Sequence, residues 1–314
     1  MKTLNECTIT RSVALMTALV FTPRLHAMND SSLSDEKSWF SLTGKGYVAY
    51  QHDSNVGISE LDTNSNSADS ARYTKGNLKL SIAPTDAWVN DLSVTHSATS
   101  YGEQSEFDLD ITTLGAVSSY AFEALKVGVH YYDANASLGS DRFLSYEQYG
   151  VSAGKLIMQR GYVRLSTDKV AKQFETATNR NSNADSFRAD MFWFFEDDDF
   201  VELALTYQDE DAVDNVFSFK SNGLELGYSY PVSVLSKVLT FKLAYQLNNR
   251  NYANETAGGI GREDDSQRIK LDINYEVLSY LDVVFSARSG DFDSTLAQAD
   301  YNETIAEIGM NLHF

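Results

Sequence analysis

Apolar and polar residues alternate with a period of two along most of this chain, from Trp39 to the C-terminus. The clearest segment covers residues 268–277, where apolar side chains occupy every second position: Ile269, Leu271, Ile273, Tyr275 and Val277. In a β-strand these residues share one face, whereas a helix would mix them with the polar set. The pattern therefore predicts strands with one apolar and one polar face.

The alternation recurs often enough to predict fourteen strands, an even number. They lie near residues 39–51, 73–83, 88–99, 106–119, 124–133, 144–154, 159–167, 186–195, 200–208, 217–230, 238–248, 267–276, 281–289 and 301–314. Short turns alternate with longer polar loops, with one exception near residues 100–105. This segregation is typical of outer-membrane barrels, whereas a soluble sandwich gives no reason for it. We therefore expect an all-β fold, a 14-stranded antiparallel transmembrane outer-membrane β-barrel.

The average composition has a different interpretation once the residues are sorted by the strand face on which they lie. The 314 residues are 43% hydrophobic, have a mean hydropathy of −0.31 and contain only three prolines. A membrane helix needs a run of about 18 apolar residues, and the sequence has none. In a barrel, half of each strand faces lipid and the other half supplies the polar average. Pro84 and Pro231 both fall in predicted short turns, so no predicted strand interior is interrupted.

The charge excludes one class of partner. The chain carries 44 acidic and 25 basic residues, a formal net charge of −19. Nucleic acid is therefore not an expected partner, because phosphate binding needs clustered cations.

Residues 1–27 predict a secretory signal peptide. Cations precede an apolar stretch (VALMTALVF), and Leu25-His26-Ala27 forms a small-residue cleavage motif. The single cysteine, Cys7, lies inside this segment, so the exported chain is expected to lack disulfides and thiolate metal sites. The predicted organisation is a signal peptide at 1–27, a short periplasmic N-terminal segment at 28–38 and a barrel at 39–314. This predicts an integral protein of the Gram-negative outer membrane, in contact with lipid and lipopolysaccharide.

The last strand ends in an aromatic residue, Phe314, at the close of an alternating segment. A C-terminal aromatic in this position resembles the signal that outer-membrane barrels present to the barrel assembly machinery. We therefore predict Phe314 as the assembly signal and that machinery as a partner.

The predicted inner face carries charges of both signs in nearly equal numbers. Fourteen strands are expected to enclose a wettable lumen, since eight strands are just filled by side chains and sixteen leave an open channel. The predicted pore-lining residues are Lys126, His130, Arg160, Arg164, Arg188, Asp190, Glu202, Glu225, Lys242, Arg268, Lys270, Asp272, Glu276, Arg288 and Glu307. We expect a channel for small polar solutes.

Enzymatic chemistry is not predicted. Among the histidines, His96 is followed two positions later by Ala98, where a lipase-like pair on one strand face would need serine. His52 and His130 could serve as bases only beside a suitable carboxylate. The acidic runs match no calcium-binding loop and no phosphate loop is present, so we expect no cofactor and no metal.

Several segments near predicted strand ends carry a resemblance to a known family. They are Tyr50-Gln51-His52-Asp53-Ser54-Asn55-Val56, Gly259-Ile260-Gly261-Arg262-Glu263-Asp264-Asp265, Asp293-Ser294-Thr295-Leu296 and Asp300-Tyr301. The chain resembles the C-terminal barrel of the surface lipoprotein assembly modifier family and related barrels that follow tetratricopeptide repeats. The resemblance implies a fourteen-stranded pore that delivers proteins or polymers to the cell surface. Because the helical repeats are missing here, it implies a separate periplasmic or surface protein partner.

Three functions are therefore open: a channel, an export barrel of this type, and a surface receptor or adhesin barrel whose acidic loops bind an external ligand.

Overall fold

The computed structural model describes residues 39–195, 198–255 and 261–314, and within them sixteen strands. The strands are β1 (Phe40–Asp53), β2 (Gly57–Ile58), β3 (Thr63–Asn64), β4 (Asp69–Ile82), β5 (Trp88–Tyr101), β6 (Leu109–Ala121), β7 (Lys126–Leu138), β8 (Asp141–Ile157), β9 (Gly161–Phe174), β10 (Ser182–Phe194), β11 (Phe200–Ala212), β12 (Phe219–Val234), β13 (Lys237–Glu255), β14 (Gly261–Leu278), β15 (Leu281–Ser294) and β16 (Tyr301–His313). The predicted signal peptide and the segment 28–38 lie outside the described residues.

Fourteen of these strands form a closed antiparallel barrel, which confirms the predicted fold class. Each strand pairs with its neighbour in sequence, and β1 closes the ring against β16, with Gly46 opposite Leu312. β2 and β3 form a separate two-stranded hairpin in the connection between β1 and β4. Closure satisfies the backbone groups that an open sheet edge would expose to lipid.

Short 3-10 helices occupy four of the connections at the loop end: Ser59–Leu61, Ser105–Phe107, Thr178–Arg180 and Asn215–Phe217. No helix among the described residues is both long and apolar enough to cross a membrane.

The strands extend further than the apolar alternation predicted. β13 reaches Glu255 and β14 begins at Gly261, where the sequence pattern ended at 248 and began at 267. The connection predicted at 134–143 is wrong, because β7 and β8 continue through it to a two-residue turn at Gly139 and Ser140. Both turn residues have positive φ, 56° and 80°, as tight hairpins require. The extensions of β13 and β14 carry polar residues on both faces, and in the extension of β7 the apolar residues Ala134, Ala136 and Leu138 face inward, so neither shows the lipid-facing alternation of the predicted strands.

The outer surface of the barrel is an apolar belt. Large side chains point outward and are about half exposed, among them Leu42 (58%), Val151 (52%) and Ile308 (60%). Exposed aromatic residues gather near the short turns: Trp39, Phe40, Tyr120, Phe122, Phe195, Tyr280 and Phe314. A contiguous apolar surface of this kind needs a lipid solvent, and aromatic girdles mark the membrane interfaces of barrels. The chain is therefore an integral outer-membrane protein.

The C-terminal residue takes part in closing the ring. Phe314 and Gly44 exchange two backbone hydrogen bonds of 3.1 Å, one in each direction. The predicted role of Phe314 in assembly stays a prediction.

Candidate functional site

The barrel encloses a cavity of about 1910 Å³. Side chains from each of the fourteen barrel strands line it. Its lining runs from Phe40 and Thr85 at the short-turn end to Glu60, Asp62 and Asp264 at the loop end. The barrel interior is thus a continuous space rather than a packed core.

The structure places most of the predicted pore-lining residues in or behind the cavity wall. Those that line the cavity are Lys126, His130, Arg164, Arg188, Glu225, Arg268, Lys270 and Arg288. Those that pair with neighbours on the same inner face are Asp190, Glu202, Lys242, Asp272 and Glu307. Glu276 pairs with Lys237 at 3.7 Å, close to the short-turn end.

Arg160 does not lie on the inner wall. It is exposed in the turn between β8 and β9, and its carbonyl oxygen accepts a hydrogen bond from the Phe194 amide. The sequence placed it in a strand because the alternation continues through the turn, whereas the strand starts at Gly161.

One stretch of wall, from β9 to β13, carries several paired charges. Asp190 is almost fully buried and accepts hydrogen bonds from Arg164 at 2.7 and 2.9 Å and from Arg188 at 2.6 Å. We call these three residues the Asp190 cluster. Arg164 and Asp190 are direct cross-strand partners, so the register of β9 and β10 fixes the cluster.

Two further ion pairs extend this paired wall. Lys242 contacts Glu202 at 3.4 Å, and Lys172 contacts Glu210 at 2.8 Å. The sequence pattern missed the second pair, because both residues lie in strand extensions that it assigned to loops. Partnered charges of this kind are the form in which proteins tolerate burial.

His130 also has an acidic partner, which the sequence did not identify. His130 on β7 hydrogen-bonds to Asp168 on β9, across the intervening strand β8. The residue between them is Gly150, and a Cβ there would overlap the Asp168 carboxylate and the Thr167 carbonyl oxygen. Glycine at this position therefore permits the pair. We assign it a structural role, and the expectation that the chain is not an enzyme stays a prediction.

A second stretch of wall, on β13 to β15, carries three arginines, two of which have a buried donor without a partner among the described residues. Arg250, Arg268 and Arg288 line the cavity on these adjacent strands. The Nε atoms of Arg268 and Arg288 are buried without a hydrogen-bond partner. We call these three residues the arginine site. Arg250 was missed because the predicted strand ended at 248.

The connection between β1 and β4, residues 54–68, folds into the barrel mouth. We call it L1. Val56 and Ile58 are fully buried, at 0% and 2% exposure. Ile58 packs in an apolar cluster with residues near the loop ends of β6 to β9: Leu109, Ala136, Phe143, Leu144 and Phe174. One feature of the sequence indicates this burial: the apolar residues Val56, Ile58 and Leu61 lie within a polar loop.

An ionic cluster fixes the middle of L1. Asp62 accepts hydrogen bonds from Arg262 at 2.6 and 3.0 Å and from Arg180 at 2.7 Å. Arg262 also donates to Asp264 at 2.6 Å, and Arg180 donates to the carbonyl oxygen of Glu60 at 2.9 Å. We call Asp62, Arg180, Arg262 and Asp264 the Asp62 cluster.

The positions of these arginines show that L1 crosses the mouth. L1 starts between β1 and β4, whereas Arg180 lies in the connection from β9 to β10, on the far side of the ring. Arg262 lies on β14. L1 therefore spans the loop end of the cavity and is held by ion pairs at two positions of the ring, Arg180 and Arg262.

The charge state of Asp62 follows from its surroundings. Burial alone would raise the pKa of Asp62, but its hydrogen bonds with Arg262 and the charges of Arg262 and Arg180 outweigh burial and hold that pKa below its ordinary value. Asp62 is therefore ionised at neutral pH, as the cluster requires.

The comparisons with known proteins agree with the architecture. No family model matches the chain, and no curated protein matches it. Among solved structures, OmpT of Vibrio cholerae, an outer membrane protein, is similar with a TM-score of 0.54 and 10% identity over 89% of this chain and 99% of that one. An anion-selective porin from Comamonas acidovorans is similar with a TM-score of 0.53 and 10% identity over 88% and 99%. The fold is that of an outer-membrane β-barrel.

These likenesses are low in sequence identity and describe the fold alone. They support the coarser part of the family resemblance, an outer-membrane barrel, and do not extend to the surface lipoprotein assembly modifiers. Two of the segments that carried that resemblance meet on the neighbouring strands β14 and β15, and Gly259 and Ile260 lie outside the described residues. Arg262 and Asp264 belong to the Asp62 cluster, and Ser294 donates a hydrogen bond to Asp264 at 2.5 Å.

Proposed function

We propose that this barrel is a non-enzymatic, water-filled channel for small polar solutes in the outer membrane, and that L1 narrows its outer mouth. The observation that carries the proposal is the cavity of about 1910 Å³, lined by all fourteen strands and crossed at its loop end by L1. Lysine, arginine, aspartate, serine and threonine side chains reach this space, so it can solvate polar solutes.

The attachment of L1 suits a segment that opens and closes. Its contacts are the packing of Ile58, the Asp62 cluster and a few hydrogen bonds such as Asn64 to the Gln298 carbonyl oxygen at 2.8 Å. None of these belongs to the ladder of the barrel, so they can break while every barrel strand stays paired. Segments that open locally are drawn from such low-stability parts of a structure.

Planar-bilayer recording of the purified, refolded protein tests the proposal. We expect discrete conductance steps from the wild-type protein and larger steps from a variant in which residues 57–66 are replaced by a short Gly-Ser linker. Heat-modified migration on gels verifies that both proteins are folded. Absence of conductance steps from both folded proteins would overturn the channel proposal.

The export barrel implied by the family resemblance is the alternative. A polymer would have to displace L1 entirely, and a separate partner would have to deliver it. Crosslinking in cells that traps a periplasmic protein on the barrel, with no conductance from the L1-shortened variant, would favour export over the channel.

A further inference from the structure

We propose that the arginine site binds an oxyanion of the permeating solute, a carboxylate or a phosphate group. This inference rests on the proposed channel function and names the class of solute. The site consists of Arg250 on β13, Arg268 on β14 and Arg288 on β15.

Arg268 and Arg288 differ in their pairing from three other cations of the cavity wall. Arg164, Arg188 and Lys172 each contact a carboxylate within 3 Å. Among the described residues, Arg268 has no acidic side chain within ion-pair distance. Within the part of the chain that the structure describes, the only acidic partner of Arg288 is Glu303, whose Oε2 is 3.8 Å from Nε, too far for a hydrogen bond.

Two buried hydrogen-bond donors of the arginine site have no acceptor among the described residues. The Nε atoms of Arg268 and Arg288 are both buried and make no hydrogen bond. Buried polar groups in proteins are almost always satisfied, so two unsatisfied donors on adjacent strands call for an acceptor. An oxyanion offers several acceptor lone pairs and matches the fork of donors on a guanidinium group.

Aromatic rings support two of the three guanidinium groups. Arg268 lies over the ring of Phe292 at 5.0 Å, and Arg250 lies over the ring of Phe219 at 5.1 Å. Phe292 in turn stacks on Tyr301 at 4.4 Å. These stacks orient the arginines toward the cavity, so binding a ligand costs little side-chain entropy.

L1 places an acidic residue in the same cavity as the arginine site. Glu60 lines the cavity next to Asp62, and its charge attracts Arg250. When L1 lies across the mouth it therefore presents a carboxylate to the arginine site. A solute oxyanion would compete with Glu60 for Arg250 and would favour the open position of L1.

Binding to the folded, full barrel in detergent, measured by isothermal titration calorimetry, tests the inference without relying on conductance. The probes are inorganic phosphate and succinate, titrated separately. Loss of a charge-assisted hydrogen bond predicts that Arg268→Gln weakens binding about tenfold or more. Glu60→Gln should strengthen binding, because it removes the competing charge. Lys220→Gln, which removes an exposed cation on the outer face, should leave binding unchanged.

The two probes separate the sources of the oxyanion: binding of phosphate, of succinate or of both identifies which group the site accepts. Arg288→Gln provides a second variant in case Arg268→Gln fails to fold, with the same expected loss. The inference is overturned if neither wild type nor Glu60→Gln binds either probe saturably. It is equally overturned if the arginine variants bind as tightly as the Lys220→Gln control. Conductance steps without saturable binding would reject the site and leave the channel proposal standing.

Discussion

Two regions of this barrel hold an aspartate between two arginines, and the comparison shows how position decides the role of the same chemistry. Asp190 binds Arg164 and Arg188, which lie on β9 and on β10 itself. Asp62 binds Arg180 and Arg262, which lie far from each other and from L1 in strand order. The first cluster is fixed by register, whereas the second joins a loop to two sides of the mouth.

The role of a buried ion pair therefore depends on which elements it joins. The Asp190 cluster cannot separate unless β9 and β10 part, so it belongs to the stability of the barrel. The Asp62 cluster can separate when L1 moves, because none of its bonds belongs to the barrel ladder. We therefore assign stability to one cluster and control of the mouth to the other.

The largest expected effect comes from breaking the Asp190 cluster. Asp190→Asn removes the buried carboxylate that pairs with two half-buried arginines, which should lower the free energy of unfolding by up to about 3–5 kcal/mol. Urea unfolding of the lipid-reconstituted barrel measures it. The control is Asp185→Asn, on the same strand as Asp190. It breaks an exposed pair with Lys169 on β9 and should lower the free energy of unfolding by at most about 1 kcal/mol. Equal stability of the two variants would contradict the assignment.

A smaller effect is expected from the apolar contact of L1. Ile58→Ala removes a fully buried side chain and should weaken closure of L1 by about 2–4 kcal/mol while the barrel itself stays intact. Limited proteolysis should then cut L1 faster than in the wild type. Val213→Ala, in an exposed connection at the same end, is the control. Unchanged cleavage of L1 would show that Ile58 does not hold it.

Gly150→Ala tests the packing of the inner wall at a position away from the Asp190 cluster. The added methyl group overlaps the Asp168 carboxylate and the Thr167 carbonyl oxygen, so it should separate His130 from Asp168 and destabilise the barrel by about 1–3 kcal/mol. Gly76→Ala, where a Cβ meets open space, should change the free energy of unfolding far less. Comparable losses in both variants would mean that the crowding at Gly150 has no special cost.

The smallest expected effect is that of pH on L1. The pKa of Asp62 is lowered with L1 closed and returns to its ordinary value, 3.8, when L1 opens. The contribution of Asp62 to closure is therefore complete above pH 3.8 and is lost as the pH falls through the lowered pKa. The contribution of Asp62 to closure should therefore stay constant between about pH 7 and about pH 5 and fall, with a rise in conductance, only in stronger acid. If Asp62→Asn shows the same rise of conductance in acid as the wild type, the rise comes from other titratable groups.

The sequence predicted the part of the structure that repeats. Alternation within each strand, as at residues 268–277, reports a side-chain period of two, and closure of an even number of strands follows from the need to pair every edge in lipid. The inner position of Arg164, Arg188 and Lys242 follows from the same parity.

The sequence could not predict the features that depend on contacts between distant residues. Arg250, Lys172 and Glu210 lie in strand extensions with polar residues on both faces, where the periodic signal ends. The partner of Asp62 is 200 positions away at Arg262. L1 resembled a solvated loop because its apolar residues, Val56, Ile58 and Leu61, are too few to define a strand, and only the fold supplies the surface that buries Val56 and Ile58.

The most direct test of L1 as the segment that narrows the mouth is the conductance of Asp62→Asn beside the wild type and the control Asp209→Asn, an exposed acid that pairs with Lys220 outside the Asp62 cluster. We expect more frequent and larger open steps for Asp62→Asn, with a free energy of unfolding within about 1 kcal/mol of the wild type. We expect wild-type conductance for Asp209→Asn. Identical conductance in all three folded proteins would contradict the role of L1 at the mouth.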